Sequence, residues 1–143
     1  MAFMTMIDLS TYHIIGMSPG NSYFKDPEIE YLLKMLVEQY GQVAVLIADI
    51  PAISTYMALG YPENRARRDK AIPKGNALKN RVRRVMSRLG YSSEMVRIVD
   101  WEKEVQTSMD YQTCYARICD LYQNNLNFEE AADTATRSVL EIS

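Results

Sequence analysis

The sequence predicts an α/β protein in which a parallel sheet lies between two layers of helices, and three observations support this. Short apolar segments of strand length recur along the chain, and segments with helical periodicity separate them. The second apolar segment, residues 43–50 (VAVLIADI), is nearly continuous, as expected for a strand covered on both faces. Strands and helices alternate along the chain. We therefore predict a Rossmann-like three-layer sandwich with about three strands.

The first predicted strand covers residues 12–17 (YHIIGM), and a Pro-Gly-Asn turn at residues 19–21 ends it. Asp26 is expected to cap the helix that follows, with Pro27 at its first position and Gly41 after its last turn. Apolar residues at helical spacing predict the buried face of this helix: Ile29, Leu32, Leu33, Leu36, Val37 and Tyr40.

A basic region follows the second strand and a short helix near residues 53–59. Pro73 and Gly75 are expected to divide this region in two, because proline interrupts the helical hydrogen-bond ladder. Asn76 then caps the second basic segment, and Gly90 ends it. The apolar residues of that segment share one narrow arc of the helix: Leu78, Val82, Val85, Met86 and Leu89.

A third strand at residues 95–99 (MVRIV) and two helices complete the predicted order. Asn127 and Glu130 form the expected capping pair of the last helix. The first of these helices carries an apolar stripe: Tyr111, Tyr115, Ile118 and Tyr122. The second is predicted to bury Phe128, Ala131, Ala132, Ala135 and Val139.

Length and composition are those of one globular domain with a core of its own. No apolar run is long enough to cross a bilayer, and the N-terminus lacks the pattern of a signal peptide, so we expect a cytoplasmic protein without membrane contact. Cys114 and Cys119 point away from each other on a helix, so we expect two buried thiols and no disulfide. No G-x-G-x-x-G, P-loop or metal-ligand pattern occurs, so no cofactor is expected.

Positive charge is concentrated in one part of this chain, whose overall net charge is −2. Residues 65–88 hold ten basic residues against one acid, Asp69. Such a segment repels itself unless a polyanion neutralises it, which favours contacts with a nucleic-acid backbone. An acidic protein partner and a surface without a partner are the alternatives. The basic residues are Arg65, Arg67, Arg68, Lys70, Lys74, Lys79, Arg81, Arg83, Arg84 and Arg88.

Residues 16–20 (GMSPG) match the G-x-S-x-G pattern of hydrolases, which raises the question of whether Ser18 is a nucleophile. In hydrolases the residue after the serine donates its N–H to the oxyanion hole, and the catalytic histidine follows in sequence. Here Pro19 has no N–H, and the only histidine, His13, precedes the serine. An esterase is therefore disfavoured, and Ser18 either caps a turn or serves another chemistry.

Three segments in order resemble the cyclodipeptide synthases: GMSPGNSYF after a strand, VLIADIPAISTYMALGY, and the helix NALKNRVRRVMSRLG. These are Rossmann-like enzymes related to the catalytic domain of class I tyrosyl-tRNA and tryptophanyl-tRNA synthetases, and the likeness covers most of the chain. The resemblance implies an aminoacyltransferase. A serine takes the aminoacyl group of one charged tRNA, a second charged tRNA supplies another, and a 2,5-diketopiperazine is released.

The resemblance also implies roles for individual residues. Ser18 matches the nucleophile, and Gly16 and Asn21 match positions that line the site. Tyr111 matches a tyrosine beside the nucleophile. The pocket for the first aminoacyl side chain corresponds to Ile14, Leu46 and Trp101, for which plain core packing is the alternative. The helix that receives the tRNA acceptor stem corresponds to Lys79, Arg81, Arg83, Arg84 and Arg88.

This sequence departs from the family in one respect. Family members continue with a helix that carries a Tyr and a Glu one turn apart, and with a strand that ends at a further Tyr. Nothing in this chain matches those elements, so residues 1–143 correspond to the N-terminal part of the catalytic domain. We expect a C-terminal partner subunit to complete the sheet of a heterodimer. A fragment of a longer chain and a degenerate relative that binds tRNA without catalysis are the alternatives.

Overall fold

The computed structural model describes residues 9–142. Three strands and six helices, with two π-helical segments, follow one another along this part of the chain. In order they are β1 (His13–Met17), α1 (Asp26–Tyr40), β2 (Val43–Ile47), α2 (Ala52–Ala58), α3 (Glu63–Arg65), a π-helical segment (Ala66–Ala71), α4 (Ile72–Leu89), β3 (Val96–Val99), a second π-helical segment (Trp101–Val105), α5 (Met109–Asn124) and α6 (Leu126–Ile142).

The three strands form one parallel sheet in the order β1-β2-β3, so β2 is central. Gly16 on β1 lies opposite Leu46 on β2, and Leu46 lies opposite Val99 on β3. Each strand lies within its predicted segment, and β2 is three residues shorter than residues 43–50 because a turn begins at Ala48. The predicted α/β class and parallel sheet are confirmed.

The core lies on one face of the sheet, beneath α1 and α4. Alternate residues of β2 point to this face, as the period of a strand requires. The apolar arc predicted for the basic helix is confirmed, since Leu78, Val82 and Val85 of α4 are all buried in it. The buried cluster consists of Met17, Ile29, Leu33, Val37, Val43, Val45, Ile47, Leu78, Val82, Val85 and Val96.

The other face of the sheet is open at β1, where the side chain of Ile14 is 59% exposed and Gly16 is exposed as well. β1 pairs only with β2 among the described strands, so its second edge has no strand beside it. Helices α5 and α6 pack against each other. No described residue of either helix is buried, so the buried face predicted for α6 is wrong and the stripe on α5 is uncovered. Within residues 9–142, no helix has the length and apolar character needed to span a membrane.

Helix α4 is continuous, so the predicted division of the basic region is wrong. Pro73 is the second residue of α4, directly after the π-helical segment, and the chain stays helical through it. Gly75 is buried inside the helix and allows close packing against Asp49, so it does not end the helix. Asn76 is consequently a helical residue and caps nothing, whereas Gly90 ends the helix as predicted, with a φ of 71°.

Two other helix starts also differ from the prediction. Asp26 is the first residue of α1 and not its cap, because its carboxylate binds Arg84 instead. The last helix starts two residues earlier than predicted, because Asn125 takes the capping role expected of Asn127 and its Oδ1 accepts a hydrogen bond from the Phe128 N–H at 3.0 Å. The prediction of two buried thiols is wrong, since Cys114 is exposed and Cys119 is half-buried on the uncovered helix α5.

Candidate functional site

The candidate nucleophile Ser18 immediately follows β1, at the carboxyl end of the sheet, and its side chain is exposed. Residues 18–21 form a turn closed by a hydrogen bond from the Asn21 N–H to the Ser18 carbonyl at 3.3 Å. Pro19 precedes Gly20, whose φ is 76°. A type II turn requires such a positive φ at this position, and few residues other than glycine adopt it. The turn therefore presents Ser18 where ligands bind in open α/β sheets, beyond the carboxyl ends of the strands.

Asn21 stabilises the chain that leads from this turn towards α1. Its Oδ1 accepts a hydrogen bond from the Tyr23 N–H at 3.0 Å, and its carbonyl accepts one from the Phe24 N–H. The side-chain amide NH₂ donates to no described residue, so it has two donors available for a substrate.

His13 lies at the opposite end of β1 from Ser18, about 16 Å away by the length of a five-residue strand. Its ring stacks on Tyr40 with centroids 3.6 Å apart. A histidine in that position does not reach the Ser18 hydroxyl. The structure therefore agrees with the sequence in disfavouring a hydrolase triad.

The residues predicted for the aminoacyl pocket fall into two groups. Gly16 and Leu46 are register partners on adjacent strands, and Ile14 is on the same face of the sheet as both. A Cβ built on Gly16 meets nothing within 4 Å, so this part of the face is open space. The structure thus brings Ile14, Gly16 and Leu46 together on the open face next to Ser18.

Trp101 and Tyr111 form the second group. Trp101 follows the carboxyl end of β3, and Tyr111 lies in the first turn of α5. Their rings meet edge to face with centroids 5.8 Å apart, and Tyr111 also stacks on Tyr115 at 5.9 Å. The three rings form a half-exposed aromatic row that begins, like the serine turn, at the carboxyl end of the sheet.

Most of the basic residues predicted to contact tRNA already have partners within the chain. Arg84 forms a bidentate pair with Asp26, with both distances 2.8 Å, and Arg88 lies 3.4 Å from Glu30. Arg81 donates to the carbonyl of Phe24, and Arg83 donates to Asn80. Lys79 is the least exposed of the five, since its ammonium pairs with Asp49 at 2.9 Å.

The ion pairs on this side of the protein shift the titration of their members. The hydrogen bond from Arg84 lowers the pKa of Asp26 below its usual value, against the opposing effect of burial. The hydrogen bond from Arg68 lowers the pKa of Asp69 in the same way. Both carboxylates are therefore charged at neutral pH, and they neutralise part of the basic segment.

Asp49 was not singled out in the sequence, although it lies two residues beyond the end of β2. Its side chain is buried, with 4% exposure, and its carboxylate accepts hydrogen bonds from the Lys79 ammonium and the Ile50 N–H. A Cβ on Gly75 would lie 2.5 Å from the Cβ of Asp49. Asp49 thus joins the start of α4 to the carboxyl end of β2. Its position directly after a buried strand is the sequence signal that could have identified it.

Lys74 was counted among the basic residues, but its place beside the serine turn was not predicted. A Cβ on Gly20 would lie 3.2 Å from the Lys74 side chain, so this lysine runs along the turn that holds Ser18. Within residues 9–142, no group of three or more His, Cys, Asp or Glu side chains is arranged to hold a metal ion.

The fold and the turn together define a class: a Rossmann-like α/β protein with an exposed serine at the carboxyl end of its first strand. The sequence model of the family described as cyclodipeptide synthase matches residues 5–142. The chain therefore belongs to the cyclodipeptide synthase family. No curated protein sequence matches the chain.

Solved structures of this family have the same fold. A Mycobacterium tuberculosis protein, whose structure relates cyclodipeptide synthetases to type I tRNA synthetases, matches with a TM-score of 0.76 and 21% identity over 90% of this chain and 55% of its own. AlbC, a cyclodipeptide synthase from Streptomyces noursei, matches with a TM-score of 0.72 and 24% identity over 89% of this chain and 59% of its own.

A cyclodipeptide synthase from Bacillus thermoamylovorans matches with a TM-score of 0.75 and 20% identity over 92% of this chain and 56% of its own. The chain thus spans between half and two thirds of the length of each of these structures. It corresponds to their N-terminal part, as the sequence predicts.

Proposed function

We propose that this chain is the nucleophile-bearing subunit of a tRNA-dependent cyclodipeptide synthase. The observation that carries the proposal is the exposed Ser18, presented by the Pro-Gly turn at the end of β1 in a chain of this family. In the first step the Ser18 oxygen attacks the ester carbonyl of an aminoacyl-tRNA. The tRNA 3′ oxygen leaves and takes up the proton, and the aminoacyl group stays on Ser18 as an ester.

The absence of a histidine near Ser18 fits this chemistry. The substrate is already an activated ester, so the first step exchanges one ester for another at little net cost in free energy. Correct placement of the two reactants then supplies much of the rate. The amine of the aminoacyl group on Ser18 next attacks the ester carbonyl of a second aminoacyl-tRNA, whose 3′ oxygen leaves, so that a dipeptidyl ester remains on Ser18. The free amine of that dipeptide then attacks the Ser18 ester, which closes the ring and releases the Ser18 hydroxyl.

The open face beside Ser18 supports the proposed aminoacyl pocket. Ile14 and Leu46 offer apolar surface, and Gly16 leaves room between them. Asn21 has amide donors available for polar groups of the substrate. The aromatic pair of Trp101 and Tyr111 lies at the same end of the sheet and adds apolar surface for a side chain.

The exposed arginines of α4 support contact with the tRNA acceptor stem. Arg83 projects from the solvent side of α4, and among residues 9–142 its side chain has only Asn80 as a partner. Arg81, Arg84 and Arg88 lie on neighbouring turns and retain donors beyond those used within the chain. Such contacts are directed at phosphates and are sensitive to salt. Lys79 remains in the proposed set, although it pairs with Asp49.

The open edge of β1 supports a complementary C-terminal subunit. The described sheet has the order 3-2-1, which is one half of the classic doubly wound order 3-2-1-4-5-6. A fourth strand belongs beside β1, where the backbone has no partner among the described strands. A second polypeptide that supplies this strand would also carry the Tyr and Glu side chains that the resemblance implies for substrate positioning.

A non-catalytic tRNA-binding relative is the second candidate. One observation favours it: the chain spans only 52–61% of the length of the solved family structures that it matches. Such a protein would bind tRNA through the same basic surface and would form no covalent adduct on Ser18.

The experiment is a product assay on the chain purified from its native cells together with its co-purifying polypeptide. With a pool of charged tRNAs, mass spectrometry should detect a cyclodipeptide from the pair and none from the chain alone. Ser18→Ala in the pair should abolish the product, whereas Ser22→Ala, an exposed serine in the same loop, should leave it unchanged. Undiminished product from the Ser18→Ala pair would reject the role proposed for Ser18.

A further inference from the structure

Two lysines and two tyrosines form a compact group next to the serine turn, which we name the lysine–tyrosine cluster: Tyr56, Tyr61, Lys70 and Lys74. The Lys74 ammonium donates to the Tyr56 hydroxyl at 2.8 Å and lies 5.0 Å from the centre of that ring. Lys70 lies 5.0 Å from the centre of the Tyr61 ring, and the two rings meet edge to face. Each tyrosine thus holds one ammonium group in place.

The cluster differs from most of the basic segment in that no carboxylate neutralises its charges. Among residues 9–142, no carboxylate lies within 4.0 Å of Lys70 or Lys74. By contrast, carboxylates pair with six of the eight other basic residues of this segment: Arg65, Arg67, Arg68, Lys79, Arg84 and Arg88. Aromatic rings attract a cation without cancelling its charge, so both ammonium groups remain able to bind an anion.

The packing of α4 brings the cluster to Ser18. Gly75 allows the start of the helix to approach Asp49 closely, and the ion pair of Asp49 with Lys79 holds the next turn at the end of β2. Lys74 therefore extends along Gly20, two residues beyond Ser18. An anion bound by Lys74 would lie close to the Ser18 hydroxyl.

We infer that the lysine–tyrosine cluster binds phosphates of the single-stranded 3′ end of the charged tRNA, an inference that rests on the proposed function. In an aminoacyl-tRNA the reacting ester is on the 3′-terminal ribose, so the last phosphates of the strand must lie near the nucleophile. Grooves that bind single strands combine positive charge with aromatic side chains. The cluster offers both beside Ser18, whereas Arg83 lies two turns further along α4, where a duplex stem would bind.

The test measures binding of two RNA hairpins to the full chain by fluorescence anisotropy. One hairpin has an acceptor-stem duplex with its single-stranded 3′ end, and the other has the same duplex with a blunt end. Lys70→Met together with Lys74→Met should weaken binding of the first hairpin about tenfold and leave the second unchanged. The slope of log K against log salt for the first should become less negative by about 1.4, which corresponds to two lost single-strand contacts.

The matched control removes the same charge elsewhere. Lys34→Met with Lys103→Met, both exposed and outside the cluster, should leave the binding of both hairpins unchanged. Tyr56→Phe keeps the ring but removes the hydroxyl that orients Lys74, and it should weaken binding of the overhanging hairpin about twofold to threefold. If the double variant unfolds, the exposed Lys74→Met alone tests the same point, with about half the change in slope.

The outcomes separate this inference from the proposed function. Equal loss of binding for both hairpins, no loss for either, or no binding by the unaltered chain would overturn the inference. If the double variant binds both hairpins normally and Ser18 is still aminoacylated, the inference is rejected and the proposed function is retained. Selective loss of the overhanging hairpin, in a chain whose Ser18 is never acylated, would support the inference and reject the proposed function.

Discussion

Helices α1 and α5 are nearly equal in length, at 15 and 16 residues, and both carry an apolar stripe, yet only one of them is covered. α1 buries Ile29, Leu33 and Val37 against the sheet. α5 buries no residue, and its Tyr115 and Ile118 are 59% and 52% exposed. The comparison shows that periodicity predicts which face of a helix is apolar but not what covers it. An uncovered stripe of this size is typical of a surface that binds another chain.

The largest expected difference in stability is between two Ile→Ala variants, one in α1 and one in α5. Ile29→Ala removes a fully buried side chain of α1 and should lower the free energy of unfolding by about 3 kcal/mol. Ile118→Ala in α5 should change it by less than about 0.5 kcal/mol, because that side chain is already half exposed. Urea denaturation of the isolated chain measures both. Equal losses would mean that the stripe of α5 is packed within this chain.

Helix α4 has both a covered side, where Lys79 pairs with Asp49, and an exposed side, where Arg83 lies. Lys79→Met leaves the buried Asp49 carboxylate without its cation and should cost about 2–3 kcal/mol of stability, less than for a fully buried pair because Lys79 keeps some solvent contact. Arg83→Met on the exposed side should cost less than about 0.5 kcal/mol. Thermal unfolding followed by circular dichroism compares the two variants. A larger loss for Arg83→Met would contradict the assignment of the two sides.

Two glycines also differ in whether their surroundings are covered: Gly75 is packed against Asp49, whereas Gly16 faces open space. Gly75→Ala places a Cβ 2.5 Å from that of Asp49 and should destabilise the chain by about 1–3 kcal/mol. Gly16→Ala adds a methyl group to the open face, where nothing lies within 4 Å, so stability should change by less than about 0.5 kcal/mol. The rate of Ser18 aminoacylation should nevertheless fall in Gly16→Ala, because the methyl group occupies the proposed pocket. Loss of stability in Gly16→Ala with an unchanged rate would place this residue in the core.

The smallest expected effect concerns pH and the contact between α1 and α4. The folded state lowers the pKa of Asp26 below its unfolded value of 3.8, so the contact with Arg84 stabilises the protein above about pH 4 and is lost as the pH falls through the folded pKa. Asp26→Asn should therefore be slightly less stable than the original chain at pH 6, and the difference should shrink as the pH falls below about 4. Unfolding curves recorded from pH 6 downwards measure the difference. A difference in stability that does not change with pH would assign the loss to something other than the charge.

The sequence predicted the covered part of the molecule better than the open part. The three strands, the apolar arc of α4 and the turn that presents Ser18 follow from local patterns, and the structure has them where these patterns predicted. The buried face predicted for α6 was wrong and the stripe on α5 is uncovered, because burial depends on a partner that local periodicity does not specify.

The remaining differences arise from contacts between residues far apart in sequence. Gly75 was expected to help divide the basic region in two, but its closeness to Asp49 makes it a packing residue inside a helix. The place of Lys74 beside Gly20 depends on that same packing, so no sequence pattern near Ser18 could have indicated it. The predicted roles of the pocket and tRNA-binding residues remain predictions.

The intact-protein mass of the chain after incubation with a pool of charged tRNAs tests the central claim most directly. The account predicts a mass increase of one aminoacyl group on the original chain and on Ser22→Ala, and no increase on Ser18→Ala. An adduct that persists in Ser18→Ala, or no adduct on the original chain, would contradict it.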